Sequence, residues 1–164
     1  MVTENEQKLY DILASLGIVY QRYEHPPLFT VEDAEKFDID IPGQHCKNLF
    51  LKNRKGDIHY LVVVDDQKRV DLKLLAKQIG SSSLSFASEE RLLKYLGVTP
   101  GSVTPYAIIN DEEKSVIVLV DSDLANASIV NFHPTINTAT IGVSYENFEK
   151  FLKWHGNEFK YVEV

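Results

Sequence analysis

A chain of 164 residues, 44% apolar and 25% charged, has the size and balance of one globular domain able to bury its own core. Its formal net charge of −7 excludes a protein that coats DNA or long RNA through a basic stripe, yet leaves room for a small basic pocket that grips a nucleic-acid end. A single cysteine, Cys46, excludes an internal disulfide and a Cys-rich zinc site; with no signal-peptide pattern at Met1–Glu6 and no run near the roughly 18 apolar residues of a membrane span, the expectation is a cytoplasmic protein without membrane contact.

In chain order, Thr3-Glu4-Asn5-Glu6 reads as a capping box. Leu9, Ile12, Leu13 and Leu16 follow at helical spacing, and Gly17 stops the helix. Residues 18–24 predict a strand, broken by His25-Pro26-Pro27 because proline cannot donate to a ladder. Thr30-Val31-Glu32-Asp33 is suited to cap a short helix reaching about Phe37, and residues 38–45, with Pro42-Gly43, form a loop. Residues 46–52 and 58–64 predict a hairpin around Asn53-Arg54-Lys55-Gly56-Asp57. Period-2 alternation turns Leu49 and Leu51 one way and Asn48, Phe50 and Lys52 the other, with Lys47 at the strand's mouth. Helices are predicted over 71–79, ended by Gly80, and 88–96, closed by Gly97, with a brief strand at 84–86 between them. Strands are predicted near 106–109, 116–120, 129–132, 138–143 and 159–164, with a helix capped by Ser144 and running to Trp154. Short turns between strands, mixed with helices, give an α/β (α+β) class: one domain over 1–164 with a mixed, mostly antiparallel sheet and surrounding helices.

Four places suit chemistry. Lys47 can bind a phosphate or carboxylate, beside the carboxamide of Asn48. The loop Gly101-Ser102-Val103-Thr104-Pro105 combines close backbone approach with proline rigidity, and its N–H groups can hold an oxyanion; it serves equally as a plain connector. His133, between Phe132 and Pro134, can act on a substrate carbonyl or a water, or simply bound a pocket. Asn137-Thr138-Ala139-Thr140 offers hydrogen bonds to a small polar ligand. The five histidines have no metal-ligand spacing, and no GxSxG, P-loop or GxGxxG sequence occurs. Nothing marks Cys46 as a nucleophile.

These segments, taken in order with His25-Pro26-Pro27, Thr30, Lys47-Asn48-Leu49-Phe50-Leu51 and Asp121 to Leu124, resemble the aminoacyl-tRNA editing domain family. The likeness is to free-standing homologues of the insertion domain of bacterial prolyl-tRNA synthetase. The resemblance implies a metal-independent, cofactor-free hydrolase that deacylates mischarged tRNA(Pro). It implies Lys47, Gly101 and His133 as catalytic-site residues, with Lys47 on the acceptor-end adenosine. Thr30, Asn48, Ser102, Val103, Thr104, Pro105, Asn137 and Thr140 would bind the substrate. The partner is the aminoacyl-tRNA acceptor end, with prolyl-tRNA synthetase as a second candidate. Ala-tRNA(Pro) is the expected substrate from the Lys47–Leu51 form. A Cys-tRNA(Pro) deacylase and a non-catalytic aminoacyl-tRNA-binding module of the same fold are the alternatives.

Overall fold

The computed structural model describes residues 2–27 and 41–164. The first helix, α1 (Glu4–Ser15), starts where Thr3 accepts a hydrogen bond from the Glu6 amide and ends ahead of Gly17 at φ +70°. It buries Leu9, Tyr10 and Leu13, the apolar stripe that its spacing demands. Strand β1 (Gln21–Glu24) is shorter than residues 18–24 suggest. The helix expected after Thr30, and Thr30 itself, lie outside the described residues.

Strands β2 (Gln44–Lys52) and β3 (His59–Asp65) form the expected hairpin, with Lys47 opposite Val64 and Lys52 opposite His59. Helix α2 (Leu72–Ile79) is capped by Asp71 and closed by Gly80, and α3 (Glu89–Leu96) by Ser88 and Gly97. Between them β4 (Ser85–Phe86) pairs with Leu51 and Lys52. Further on come β5 (Ile117–Asp121), β6 (Ile129–Phe132), β7 (Ala139–Ser144), α4 (Tyr145–His155) and β8 (Phe159–Val162).

One predicted strand is not a strand. Residues 106–109 lie in a 3₁₀ helix, Pro105–Asn110, that starts on Pro105 with the Thr104 hydroxyl accepting from the Tyr106 amide. A short, wholly buried apolar run carries no periodicity to separate the two states, and proline at the first helical position with a threonine cap decides for the turn.

The sheet order is β1-β7-β6-β2-β3-β5-β8, with β4 beside β2. Pairs β1/β7, β6/β7, β2/β3 and β2/β4 are antiparallel, while β2/β6, β3/β5 and β5/β8 are parallel. Buried on both faces, β3 reads as a continuous apolar run. Its Leu61 and Val63 pack with Phe50 in the larger core beneath α1, α3 and α4, and its Tyr60 and Val62 with Leu51 in a smaller core beneath α2. On the far edge, Arg22 of β1 pairs at 2.9 Å with the fully buried Glu6 of α1, and the Tyr10 hydroxyl bonds the same carboxylate. That cluster fixes the strand leading to His25.

Candidate functional site

The site begins where β2 changes partners. Parallel pairing with β6 covers only Gln44↔Val130 and His45↔Asn131. On that same edge β4 takes over at Leu51 and Lys52. Among the described residues no strand pairs with the intervening Cys46–Phe50 edge. Two residues past the last paired positions stand Lys47 on β2 and His133 just beyond β6. Strands that part in this way leave a crevice at their ends, the usual place for a ligand in sheets with parallel strands.

Asn48 reaches into this region and donates from Nδ2 to the Val103 carbonyl at 3.2 Å, tying β2 to the 101–105 loop. Its Oδ1 is buried without a partner. Turning the amide over would set that oxygen against the Val103 carbonyl, so the orientation is fixed by chemistry. Asn48 lies on the Phe50 side of the strand, while alternation carries Lys47 to the side of Leu49 and Leu51. The half-buried Lys47 makes no described bond to the 101–105 segment, and its charge lowers the Asp66 pKa against a larger upward push from burial.

The loop is built from two short turns. Pro100–Ser102 is one 3₁₀ turn, in which the Ser102 amide donates to the Thr99 carbonyl, and the helix from Pro105 is the other. Ser102, Thr104 and Pro105 are buried, with Thr104 fully enclosed as a cap. Gly101 does not adopt a positive φ, so the backbone conformation there does not require glycine. With the Ser102 amide committed, Gly101, Val103 and Thr104 supply the loop N–H groups that have no partner among the described bonds.

A second group sits just beyond β6. His133 Nδ1 lies 3.0 Å from the Ala139 carbonyl. A carbonyl only accepts, so Nδ1 carries the hydrogen and Nε2 keeps a lone pair. Burial lowers the His133 pKa below its ordinary value, the nearby His25 lowers it further, and the Ala139 carbonyl acts in the opposite direction. The imidazole is therefore neutral at neutral pH, a hydrogen-bond acceptor or base. His25 stands 5.9 Å away, ring to ring, with Nε2 at 2.8 Å from the Thr140 hydroxyl. Asn137 is half-buried in the same turn, with no described bond.

Sequence reasoning missed two residues here. His25 was read as part of a strand-breaking segment and of a motif of the resemblance, but not as a site residue, although its ring holds Thr140. Thr135, buried at φ +72°, is a β-branched residue in the left-handed region, a conformation that costs on the order of 1–3 kcal/mol and concentrates at functional sites. The Pro134-Thr135 pair hints at a turn, but nothing local reports its handedness. Cys46, by contrast, is disarmed: burial pushes its thiol pKa well up, with Asp66 adding to the effect, so no thiolate forms near neutral pH. Among the described residues no group of three or more His, Cys, Asp or Glu side chains could hold a metal ion, and no helix is long and apolar enough to cross a membrane.

Comparison with known proteins bears on this geometry. The family profile described as aminoacyl-tRNA editing domain matches residues 25–151, which include every element of the crevice. The chain is 46% identical over 164 residues to the prolyl-tRNA editing protein ProX of Acetoanaerobium sticklandii, covering 100% of both chains. It is 40% identical over 149 residues to prolyl-tRNA synthetase associated domain-containing protein 1 of Bos taurus, covering 89% of this chain and 87% of that one. A crystal structure of a candidate trans-editing enzyme for prolyl tRNA synthetase superposes with a TM-score of 0.72 at 20% identity, covering 100% of this chain and 99% of that one; at that identity the likeness is one of fold.

Proposed function

The chain belongs to the aminoacyl-tRNA editing domain family, and from that premise we propose that it is a trans-acting deacylase that hydrolyses the ester of mischarged tRNA(Pro), with alanine as the misplaced amino acid. The observation that supports this most is the junction of Asn48 with Val103, which sets the middle of β2 against a loop whose Gly101, Val103 and Thr104 amides have no partner among the described residues, with the neutral His133 just beyond β6, level with Lys47.

An aminoacyl ester is already activated, so hydrolysis needs positioning more than a strong nucleophile. Lys47, beside the parted strands, holds the phosphate of the terminal adenosine. The carbonyl lies toward the loop, where the amides of Gly101, Val103 and Thr104 take the developing oxyanion, each worth roughly 3 kcal/mol when well aligned. His133 Nε2 accepts from the attacking water or the neighbouring ribose hydroxyl, or simply bounds the hollow. Ser102, Pro105, Asn137 and Thr140 line the rest. Alanine fits and proline is excluded by volume, the logic of a double sieve. No step needs a metal, so deacylation is expected to survive chelation.

The test is a deacylation panel on tRNA(Pro) charged with alanine, cysteine or proline, comparing the protein with Lys47→Ala. Hydrolysis of the alanyl ester, sparing of the prolyl ester and a loss of about 10–100-fold in the variant are expected, as for one charge-assisted contact. Cysteinyl turnover above alanyl turnover would transfer the assignment to cysteine. No turnover of any ester at micromolar protein would leave a binding module and end the deacylase reading.

A further inference from the structure

At the far end of β2 the chain gathers cations that form no ion pair among the described residues. Lys52 stands across the ladder from His59. Arg91 of α3 donates from Nη1 to the Gly56 carbonyl at 2.9 Å and to His59 Nε2 at 3.0 Å, pinning the helix onto the β2–β3 turn. Lys94 follows on the same helix over the Tyr95 ring, 5.4 Å from its centroid. Arg54 and Lys55 are exposed at the tip of the turn. Tyr95 packs on His59 with ring centroids 4.2 Å apart, and His59 on Phe50 at 5.5 Å, so the cations ride on a stiff aromatic stack.

Arg22, Lys68 and Lys153 all form ion pairs, whereas Lys52, Arg54, Lys55, Arg91 and Lys94 form none among the described residues. The acids nearby are Asp57, whose carboxylate is tied to the Asn53 amide, Glu89 and Glu90 in the first turn of α3, and the buried Asp111, held by Ser115, Val116 and Asn157. The surface is thus positive on a protein whose formal charge is −7. Burial and then the charges of Arg91, Lys52 and Lys94 lower the His59 pKa, so these cations converge on one spot.

We propose that this surface, the 52–57 turn together with the exposed side of α3, binds the sugar–phosphate backbone of the tRNA acceptor stem beyond the terminal nucleotide. Unpaired cations on a rigid aromatic support suit a polyanion. Lys52 lies five positions along β2 from Lys47, about 16 Å at roughly 3.3 Å per residue, a length on the order of five stacked nucleotides. Alternation turns these two lysines to opposite faces of the sheet, so the stem contact rests on the turn and α3, where Arg54, Lys55 and Lys94 are exposed. The identity of the RNA rests on the editing reading; the polyanion site does not.

The experiment measures binding of uncharged tRNA(Pro) by fluorescence anisotropy across a salt series. It compares the full chain with Arg54→Glu/Lys55→Glu/Lys94→Glu and with a control of equal charge change elsewhere, Lys73→Glu/Lys77→Glu/Lys160→Glu. Turn neutralisation by Arg54→Gln/Lys55→Gln, which leaves α3 untouched, guards against misfolding. The patch variant is expected to bind at least tenfold more weakly with a salt slope shallower by about two to three, and the neutral pair to fall between it and the unchanged chain. Hydrolysis of a short ester, alanyl-CCA, is expected to stay unchanged. Equal weakening by patch and control variants, no weakening by the patch variants, or no tRNA binding by the unchanged chain would overturn the proposal. Patch-dependent binding with no deacylation of any ester would instead sink the editing reading and leave the surface standing.

Discussion

Two asparagines, one in the middle of β2 and one just past its end, are used in opposite ways. Asn53, just past the strand, has a fully used oxygen: its Oδ1 accepts from the amides of Gly56, Asp57 and Ile58, and its Nδ2 donates to Asp57 at 2.7 Å. Asn48, at mid-strand, makes one bond to the Val103 carbonyl and leaves Oδ1 buried and unpartnered. A carboxamide whose oxygen gathers three amides holds a turn. One with its acceptor left over, beside loop amides that have no partner among the described residues, is incomplete as structure and suited to a ligand that donates.

The contrast breaks most sharply at Asn53. Asn53→Ala strips the turn's three amides of their acceptor, and chemical denaturation is expected to show a loss of about 3 kcal/mol, with deacylation per folded molecule unchanged. Asn48→Ala should invert the pattern: kcat/KM for the alanyl ester falls about thirtyfold, while stability shifts by less than about 1 kcal/mol because an unsatisfied oxygen leaves along with the bond. Comparable stability losses in the two variants would show that Asn48 is only another brace.

The smallest effect lies in pH. His133 and His59 both have folded pKa values below the ordinary 6.5. Deacylation should stay level as pH falls to about 6.5 and decline only below it, once His133 Nε2 takes a proton. Stability follows the same direction: below about 6.5 the unfolded chain binds protons that these two folded histidines refuse, so stability drops with falling pH until it passes their depressed values. His133→Ala should flatten the activity profile if Nε2 is a base; if the ring only bounds the hollow, hydrolysis persists and the alanine-to-cysteine preference loosens.

Much of the crevice was legible along the chain. The Lys47–Lys52 strand, the turn at 53–57 and the caps at Thr3, Asp71, Ser88 and Ser144 are local signals, each set by a few neighbouring residues. The state of residues 106–109 was not, because a buried apolar stretch has no polar face to reveal its period. His25 and Thr135 escaped for a related reason. The partner of His25 is 115 residues away, and the handedness at Thr135 follows from packing that its neighbours in sequence do not specify.

By itself, the sequence determined most of the helices, the 46–64 hairpin and which family the motifs resemble, but it started β2 two residues late, so that Lys47 and Asn48, expected at the strand's mouth, stand in its middle. These follow from local propensity, alternation and residue order. Only the tertiary structure decided that β2 leaves β6 after His45, that Asn48 rather than Lys47 grips the 101–105 loop, and that Arg91 and Lys94 join the β2–β3 turn in one cationic surface. The physical reason is that strand partners and helix docking are settled by burying apolar faces between segments far apart in the chain, and no short window of residues encodes that choice.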